Sequence, residues 1–155
     1  MTGSDPDASE PPERFLLDVM LGKLATYLRM CGYDAAYALD RDVEDDDRIR
    51  EIAEAEDRTV LTRDEQLAAR TPNSWLLTER DVTEQLTELA QKGLELSLAV
   101  PPTRCGNCNG LLEAVDEEPP EYVPSDADCV RCRDCGQWFW KGSHWDAVRR
   151  TLADP

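Results

Sequence analysis

The feature that most limits what this chain can become is a pair of Cys-x-x-Cys motifs, Cys105–Cys108 and Cys132–Cys135, with 23 residues between them. Each pair offers two thiolates to one tetrahedral ion, and a span of that order lets two hairpins face each other across a metal. The spacing predicts a zinc ribbon in the C-terminal third, with one structural Zn²⁺ held by Cys105, Cys108, Cys132 and Cys135. The gap is slightly longer than the commonest one, and the insert DEEPPEYVPSDAD accounts for the excess as a loop extension. Cys129-Val-Arg-Cys132 offers a competing pair. Gly136, however, follows Cys135 as Asn109 follows Cys108, and Gly and Asn accept the φ > 0 geometry that turns backbone N–H groups toward sulfur. Cys129 then reads as a small buried apolar residue. His144 is an alternative ligand, although four cysteines already close a structural site, and a disulfide network is the competing reading of the whole cluster. A closed Cys₄ site keeps no open position for water, so it supplies folding energy and the chemistry must come from elsewhere.

The remaining 100 or so residues suffice for one small domain beside the ribbon. No apolar run is long enough to span a bilayer, and MTGSDPDASEPPER has no apolar core of a signal peptide, so a soluble cytoplasmic protein is expected. Net charge is -16, and Lys occurs only at Lys23, Lys92 and Lys141. So acidic a chain ordinarily argues against nucleic acid, whose phosphates are met by Lys and Arg. Abundant Asp with scarce Lys also fits a halophilic cytoplasm, where the Debye length falls to about 3 Å at about 1 M salt and self-repulsion is quenched. Under that reading, net charge no longer excludes a nucleic-acid substrate.

Residues 1–12 have nothing to bury and read as disordered. Phe15 to Asp18 is an apolar run ending in an acid, expected as a buried strand. VMLGKLATYLRMCG places Leu21, Leu24 and Leu28 on one helical face and stops at Gly32. Tyr33 to Leu39 is expected as a strand. Asp45-Asp46-Asp47 opens a second helix with Ile49, Ile52 and Ala53 inward. Thr59 to Thr62 is a strand, and Thr62 with Glu65 forms a capping-box pattern for a third helix. Ser74 to Leu77 is a strand, Asp81 with Glu84 caps a helix carrying Leu86, Leu89 and Ala90 inward, and Leu94 to Val100 adds an edge strand. Strands alternating with helices predict an α/β fold, a mostly parallel sheet flanked by helices over residues 13–100. Pro101-Pro102 marks the boundary with the ribbon at 103–150.

Asp18 and Asp64 each stand where an apolar strand ends and a helix begins, and strand ends of an open α/β sheet share one ligand-binding edge. Asp46 heads the intervening helix, though Asp45 and Asp47 serve equally on this argument. Clustered carboxylates repel unless a divalent cation lies between them, and oxygen-only ligation favours Mg²⁺ or Mn²⁺. The competing readings are an N-cap for Asp18, a first-turn acid for Asp64 and a solvated surface run for Asp46.

LLDVMLGKLATYLRMCGYD, DDDRIREIAEAEDRTVLTRD, WLLTERDVTEQL, RCGNCNGLL and CRDCGQWFWKGSHW, in that order, resemble the Mut-seven C-terminal ribonuclease-domain family, from about Phe15 to about Trp145. The resemblance implies a PIN-like nuclease fold joined to a zinc ribbon, and a metal-dependent ribonuclease with RNA as its substrate. Asp18, Asp46 and Asp64 match the family's catalytic acids, and the four ribbon cysteines match its metal positions. A fourth acid is implied, with Asp34, Asp40, Asp42 and Asp81 as candidates. Lys23, Arg29 and Arg63 also match family positions, with phosphate contact as the functional reading and ion pairing with local acids as the alternative. Trp138, Phe139, Trp140, Lys141, His144 and Trp145 either stack bases or fill the ribbon's small core. The rival functions are a non-catalytic RNA- or ribosome-binding module and a metal-dependent phosphatase acting on small phosphate esters.

Overall fold

The computed structural model describes residues 14–99, 103–114, 120, 121, 123, 129–140 and 143–153, with the backbone alone at 143 and 144. The segment read as disordered, the Pro101-Pro102 boundary and nearly all of the ribbon insert lie outside the described residues. The chain runs β1 (Arg14–Leu17), α1 (Gly22–Met30), β2 (Asp34–Tyr37), a 3₁₀ turn (Ala38–Arg41), α2 (Asp46–Glu56), β3 (Thr59–Thr62), α3 (Glu65–Arg70), β4 (Ser74–Leu76) and α4 (Val82–Gln91).

The four strands pair in parallel in the order β2-β1-β3-β4. Successive strand residues point to opposite faces. Phe15, Leu17, Ala35 and Leu61 pack with Leu24, Leu28, Leu86 and Leu89 of α1 and α4. Leu16, Ala36 and Val60 pack with Ile49, Ala53 and Leu67 of α2 and α3. With both faces covered, an unbroken apolar run such as Phe15-Leu16-Leu17 is what a strand of this sheet requires.

Local chemistry sets where the elements stop. Gly32 (φ 91°) ends α1: its N–H reaches Arg29 O at 2.9 Å, and the Tyr33 N–H reaches Leu28 O at 3.0 Å, the paired bonds of a Schellman close. At its other end, α1 starts three residues later than expected, because residues 18–21 form a turn closed by Leu21 N–H to Asp18 O at 3.0 Å. The second expected strand is shorter too, since Ala38 and Leu39 turn into the 3₁₀ segment. In α4, Gln85 is buried and Ala90 is exposed, against expectation. Gln85 earns its inward place through Nε2, which donates to Glu79 O at 2.9 Å.

Residues 94–99 form no strand. Leu94, Leu96 and Leu98 do pack against the core, but the segment is held by isolated bonds, Tyr33 Oη to Glu95 O at 2.7 Å and Ala99 N–H to Met30 O at 3.0 Å. The ribbon is a separate antiparallel sheet of β5 (Leu112–Glu113), β6 (Cys129–Cys132) and β7 (Trp138–Trp140). It is followed by α5 (Ser143–Ala153), whose Val148 and Leu152 join the core beside α1 and α4. By packing, this last helix belongs to the α/β body.

Candidate active site and metal centre

Strand order reverses between β1 and β3, since β1 leads outward to β2 and β3 leads outward to β4. The crevice at the carboxyl ends of those two strands is where ligands of open α/β sheets bind. Asp18 follows β1 directly and is 4% exposed. Its Oδ1 accepts from Val19 N–H at 2.8 Å and its Oδ2 from the Thr62 hydroxyl at 2.7 Å. Asp18 is not a helix cap: the cap position of α1 is Leu21.

Asp64 is the N-cap of α3, its Oδ1 accepting from Gln66 N–H at 2.9 Å and Leu67 N–H at 3.3 Å. The expected capping box is therefore absent. Thr62 ends β3, and its hydroxyl is engaged by Asp18 and by the Asp64 N–H at 2.9 Å. Asp46 is the first residue of α2 and is half-buried, whereas Asp45 and Asp47 are exposed. Burial, then the nearby carboxylates of Asp64 and Asp18, hold the Asp46 carboxyl above its usual range, with Arg70 opposing them. Asp47 is instead drawn to Arg70 at 2.6 Å. Asp46 thus senses both other acids, but the three do not close into a tight ligand set. Among the described residues, the group of ligand atoms lying within 4.8 Å of one another is the cysteine cluster.

The basic residues singled out in the sequence go to different places. Lys23 is exposed in the first turn of α1. Arg63 lies between β3 and α3, with a buried Nε that has no hydrogen-bond partner. Arg29, in contrast, is 3% exposed and ties parts of the fold together: Nε donates to Ala35 O at 2.8 Å, one Nη to Gly106 O at 3.1 Å and the other to Asp40 at 3.5 Å. Burial pulls its pKa down against the partly offsetting Asp40 carboxylate. Of the fourth-acid candidates, Asp34 sits at the start of β2, at the opposite edge of the sheet from Asp18. There it binds Arg58 at 2.8 Å and Asn109 at 2.7 Å, with Arg14 at 3.5 Å and Arg104 at 3.6 Å. Asp40 and Asp42 follow β2, and Asp81 stands at the N-cap position of α4 without the expected side-chain cap bond, its carboxylate taking the Thr83 hydroxyl instead.

The four ribbon cysteines converge as expected. Their Sγ atoms approach to 3.6 Å between Cys105 and Cys135 and 3.5 Å between Cys108 and Cys132. A Zn–S bond of about 2.3 Å implies tetrahedron edges of roughly 3.8 Å, so the cluster has the size and the donor chemistry for zinc. Asn107 N–H reaches Cys105 Sγ at 3.3 Å, and the N–H groups of Asp134 and Cys135 each reach Cys132 Sγ at 3.4 Å. Asn109 (φ 73°) and Gly136 (φ 79°) both take the left-handed conformation that the sequence argument required. Burial raises Cys105 and Cys108, whereas at Cys135 the same desolvation is outweighed by the Gln137 backbone donor and the neighbouring thiols, which bring it to about 7. Cys129 begins β6, half-buried and outside the cluster.

The first knuckle also seals the sheet. β2 is an edge strand, and its outward groups at Ala35 would otherwise be open to pairing with another chain. Asn109 Oδ1 accepts the Ala35 N–H at 2.9 Å while Arg29 takes its carbonyl. The Thr26 hydroxyl joins Arg29 on Gly106 O at 3.3 Å. Of the aromatics, Trp138 and Trp145 are buried, and Arg131 lies 5.8 Å over the Trp138 ring. Phe139 and Trp140 are half-buried, and Lys141 and the His144 side chain lie outside the described residues.

A family model described as Mut7-C RNAse domain matches residues 13–152. The chain belongs to the Mut7-C RNAse domain family. That description suggests a ribonuclease-type function with RNA as substrate. The Mut7-C match covers both the acids at the β1/β3 crevice and the cysteine cluster. No curated protein and no solved structure matches the chain. Among the described residues of this Mut7-C protein, no helix is long and apolar enough to cross a membrane.

The sequence alone missed two contributors, Thr62 as the bridge between the acids and α5 as a core helix. Trp145, Val148 and Leu152 have helical spacing, which was the available signal for α5. No sequence pattern announces a strand-terminal Thr as a carboxylate donor.

Proposed function

We propose that this Mut7-C protein is a divalent-cation-dependent ribonuclease that hydrolyses RNA phosphodiester bonds, with Asp18, Asp46 and Asp64 holding Mg²⁺ or Mn²⁺. The observation that carries the reading is the placement of these acids around the β1/β3 switch point, where burial, then the Asp64 and Asp18 carboxylates, raise the Asp46 carboxyl. An all-oxygen, anionic donor set suits a hard cation. When bound, such an ion supplies an activated water and offsets the charge that builds on the phosphate.

The chain's own part is orientation. Val19 N–H and the Thr62 hydroxyl fix the Asp18 carboxylate, and the α3 N-terminus fixes Asp64 Oδ1. Lys23 and Arg63 are the phosphate contacts of this reading, since the first is exposed and the second is half-buried between β3 and α3, next to Asp64. Arg29 takes a positioning role through the knuckle. The ribbon's single Zn²⁺ is structural. The acidic coat supports a salt-rich cytoplasm as the setting.

The test is cleavage of single-stranded and structured RNA in near-saturating KCl. It compares Mn²⁺, Mg²⁺ and EDTA, with Asp18→Asn and Asp64→Asn alongside and zinc content monitored. Cation-dependent cleavage abolished by both substitutions supports the reading, and cleavage that survives both sinks it. One observation favours a second reading: both Asp18 oxygens are already hydrogen-bonded inside the fold. RNA retention without cleavage under any cation selects that alternative, a binding module that keeps the fold without turnover.

A further inference from the structure

A cleft of about 510 Å³ opens between the end of β2 and the first zinc knuckle. That volume is in the range of small-ligand sites. Its walls are mostly polar and come from both lobes: Arg29, Tyr37, Asp40 and Arg41 beside Ala36 from the α/β body, Asn107 and Asn109 beside Cys108 of the metal cluster from the ribbon. We propose that this cleft is a nucleotide subsite for single-stranded RNA, holding the residue next to the scissile phosphate, with Arg41 on its phosphate and the Asn107 amide on its base edge. The proposal rests on the ribonuclease reading and extends it.

Position comes first. The Tyr37 hydroxyl donates to Val19 O, one residue from Asp18, so one wall of the cleft reaches toward the acid that follows β1. Burial, then the Asp40 and Asp18 carboxylates, raise the Tyr37 hydroxyl above its ordinary value. Charge comes second. In a chain of net charge -16, this wall carries two guanidiniums against the Asp40 carboxylate, which Arg29 offsets at 3.5 Å, and the sulfur of Cys108 in the metal cluster. Arg41 is exposed and pairs with Glu56 at 2.6 Å, but Glu56 also holds Arg58 at 2.7 Å. Arg41 can therefore turn to a phosphate without stranding Glu56.

Recognition comes third. Asn109 is committed to Ala35 and Asp34, whereas Asn107 is exposed, its backbone fixed by the N–H bond to Cys105 Sγ. A primary amide both donates and accepts, as the edge of an unpaired base requires. The Tyr37 ring supplies an aromatic wall of the kind on which unstacked bases rest.

The experiment is fluorescence anisotropy of a labelled single-stranded oligoribonucleotide with the full-length, zinc-loaded protein, without added Mg²⁺ or Mn²⁺. Arg41→Ala weakens binding about tenfold and lowers the salt dependence by about one phosphate contact. Arg41→Lys restores much of the slope. Asn107→Ala weakens binding and leaves the slope unchanged. Arg149→Ala, the same charge change at an exposed residue of α5 paired with Asp146, has no effect. Wild-type affinity and slope in both Arg41→Ala and Asn107→Ala overturn the subsite. Cleavage with unchanged KM in those variants overturns the subsite and leaves the ribonuclease reading intact. Weakened binding in the variants with no cleavage by the wild type does the reverse. No binding of the probe by the wild type overturns both.

Discussion

The Thr62 hydroxyl donates a 2.7 Å hydrogen bond to the Asp18 carboxylate, and both groups are buried. The same oxygen accepts the Asp64 N–H at 2.9 Å, so one side chain ties together the acids that end β1 and follow β3. Thr62→Val keeps the shape and removes the oxygen. It strands a buried carboxylate oxygen and an N–H group, at a cost of about 1–3 kcal/mol in urea denaturation. With Asp18 loosened, RNA cleavage falls about tenfold or more. Thr62→Ser recovers most of both losses. Wild-type cleavage by Thr62→Val shows that the hydroxyl does not position the acid.

Asp46 and Asp34 predict opposite pH signatures. Burial and the neighbouring acids raise the Asp46 carboxyl in the folded state, so its ionisation opposes folding. That penalty is full above the raised folded value and vanishes below the unfolded one. Asp46→Asn therefore raises the Tm at neutral pH without added divalent cation, and the gain shrinks as pH falls through the carboxylate range. Added Mn²⁺ reverses the order, stabilising the wild type more than the variant. At Asp34, burial pushes the carboxyl up but is outweighed by hydrogen bonds from Arg58 and Asn109 and by the charges of Arg58 and Arg104. Its stabilisation is present above the unfolded value and is lost as pH falls through the depressed folded one. Asp34→Asn accordingly lowers the Tm at neutral pH, and the deficit closes in acid. Thermal melts of both variants across pH check the two signs together.

What the sequence revealed, and what it withheld, follows from the range of the interactions involved. The Schellman close at Gly32 and the positive φ of Asn109 and Gly136 depend on a few adjacent residues, and were legible. The cap of α3 was misread because Thr62 and Asp64 are both good caps, and the choice fell to Asp18, 44 residues away from Thr62. The alternation Leu94, Leu96, Leu98 correctly encodes a buried face, yet a ladder also needs a neighbouring strand, which this segment lacks among the described residues. Asp46 stands out from Asp45 and Asp47 only once α2 is docked against the switch point. Arg29 reads as a phosphate contact or a partner of local acids until the knuckle carbonyl of Gly106, 77 residues on, is placed beside it.

Gly110 predicts how tightly the thiolates are packed. A Cβ built there lies 2.8 Å from Cys132 Sγ and 2.6 Å from Asp134 Oδ2. The Asp134 side chain can swing away, but the sulfur cannot move without leaving the cluster. Gly110→Ala thus weakens zinc binding by about tenfold or more, measured by competition with a chromophoric chelator. Unchanged affinity shows that the knuckle absorbs the methyl group.

Asn109 separates two roles that coincide at one residue. Its backbone takes φ 73° beside the cluster, and its side chain joins Ala35 N–H at 2.9 Å to Asp34 at 2.7 Å. Asn109→Gly keeps the backbone freedom and deletes the bridge, leaving the β2 edge amide without its acceptor. That costs about 1–3 kcal/mol of stability and exposes the Ala35 amide to faster hydrogen exchange. Asn109→Ala loses the bridge and also strains the left-handed backbone, adding about 1 kcal/mol. In both variants the cysteines are untouched, so zinc uptake matches that of the wild type when the knuckle still closes. Equal stability of Asn109→Gly and wild type, with unchanged exchange at Ala35, shows that the β2 edge does not depend on the ribbon. The predicted order, wild type above Gly above Ala, attributes the larger loss to the bridge and the smaller to the backbone.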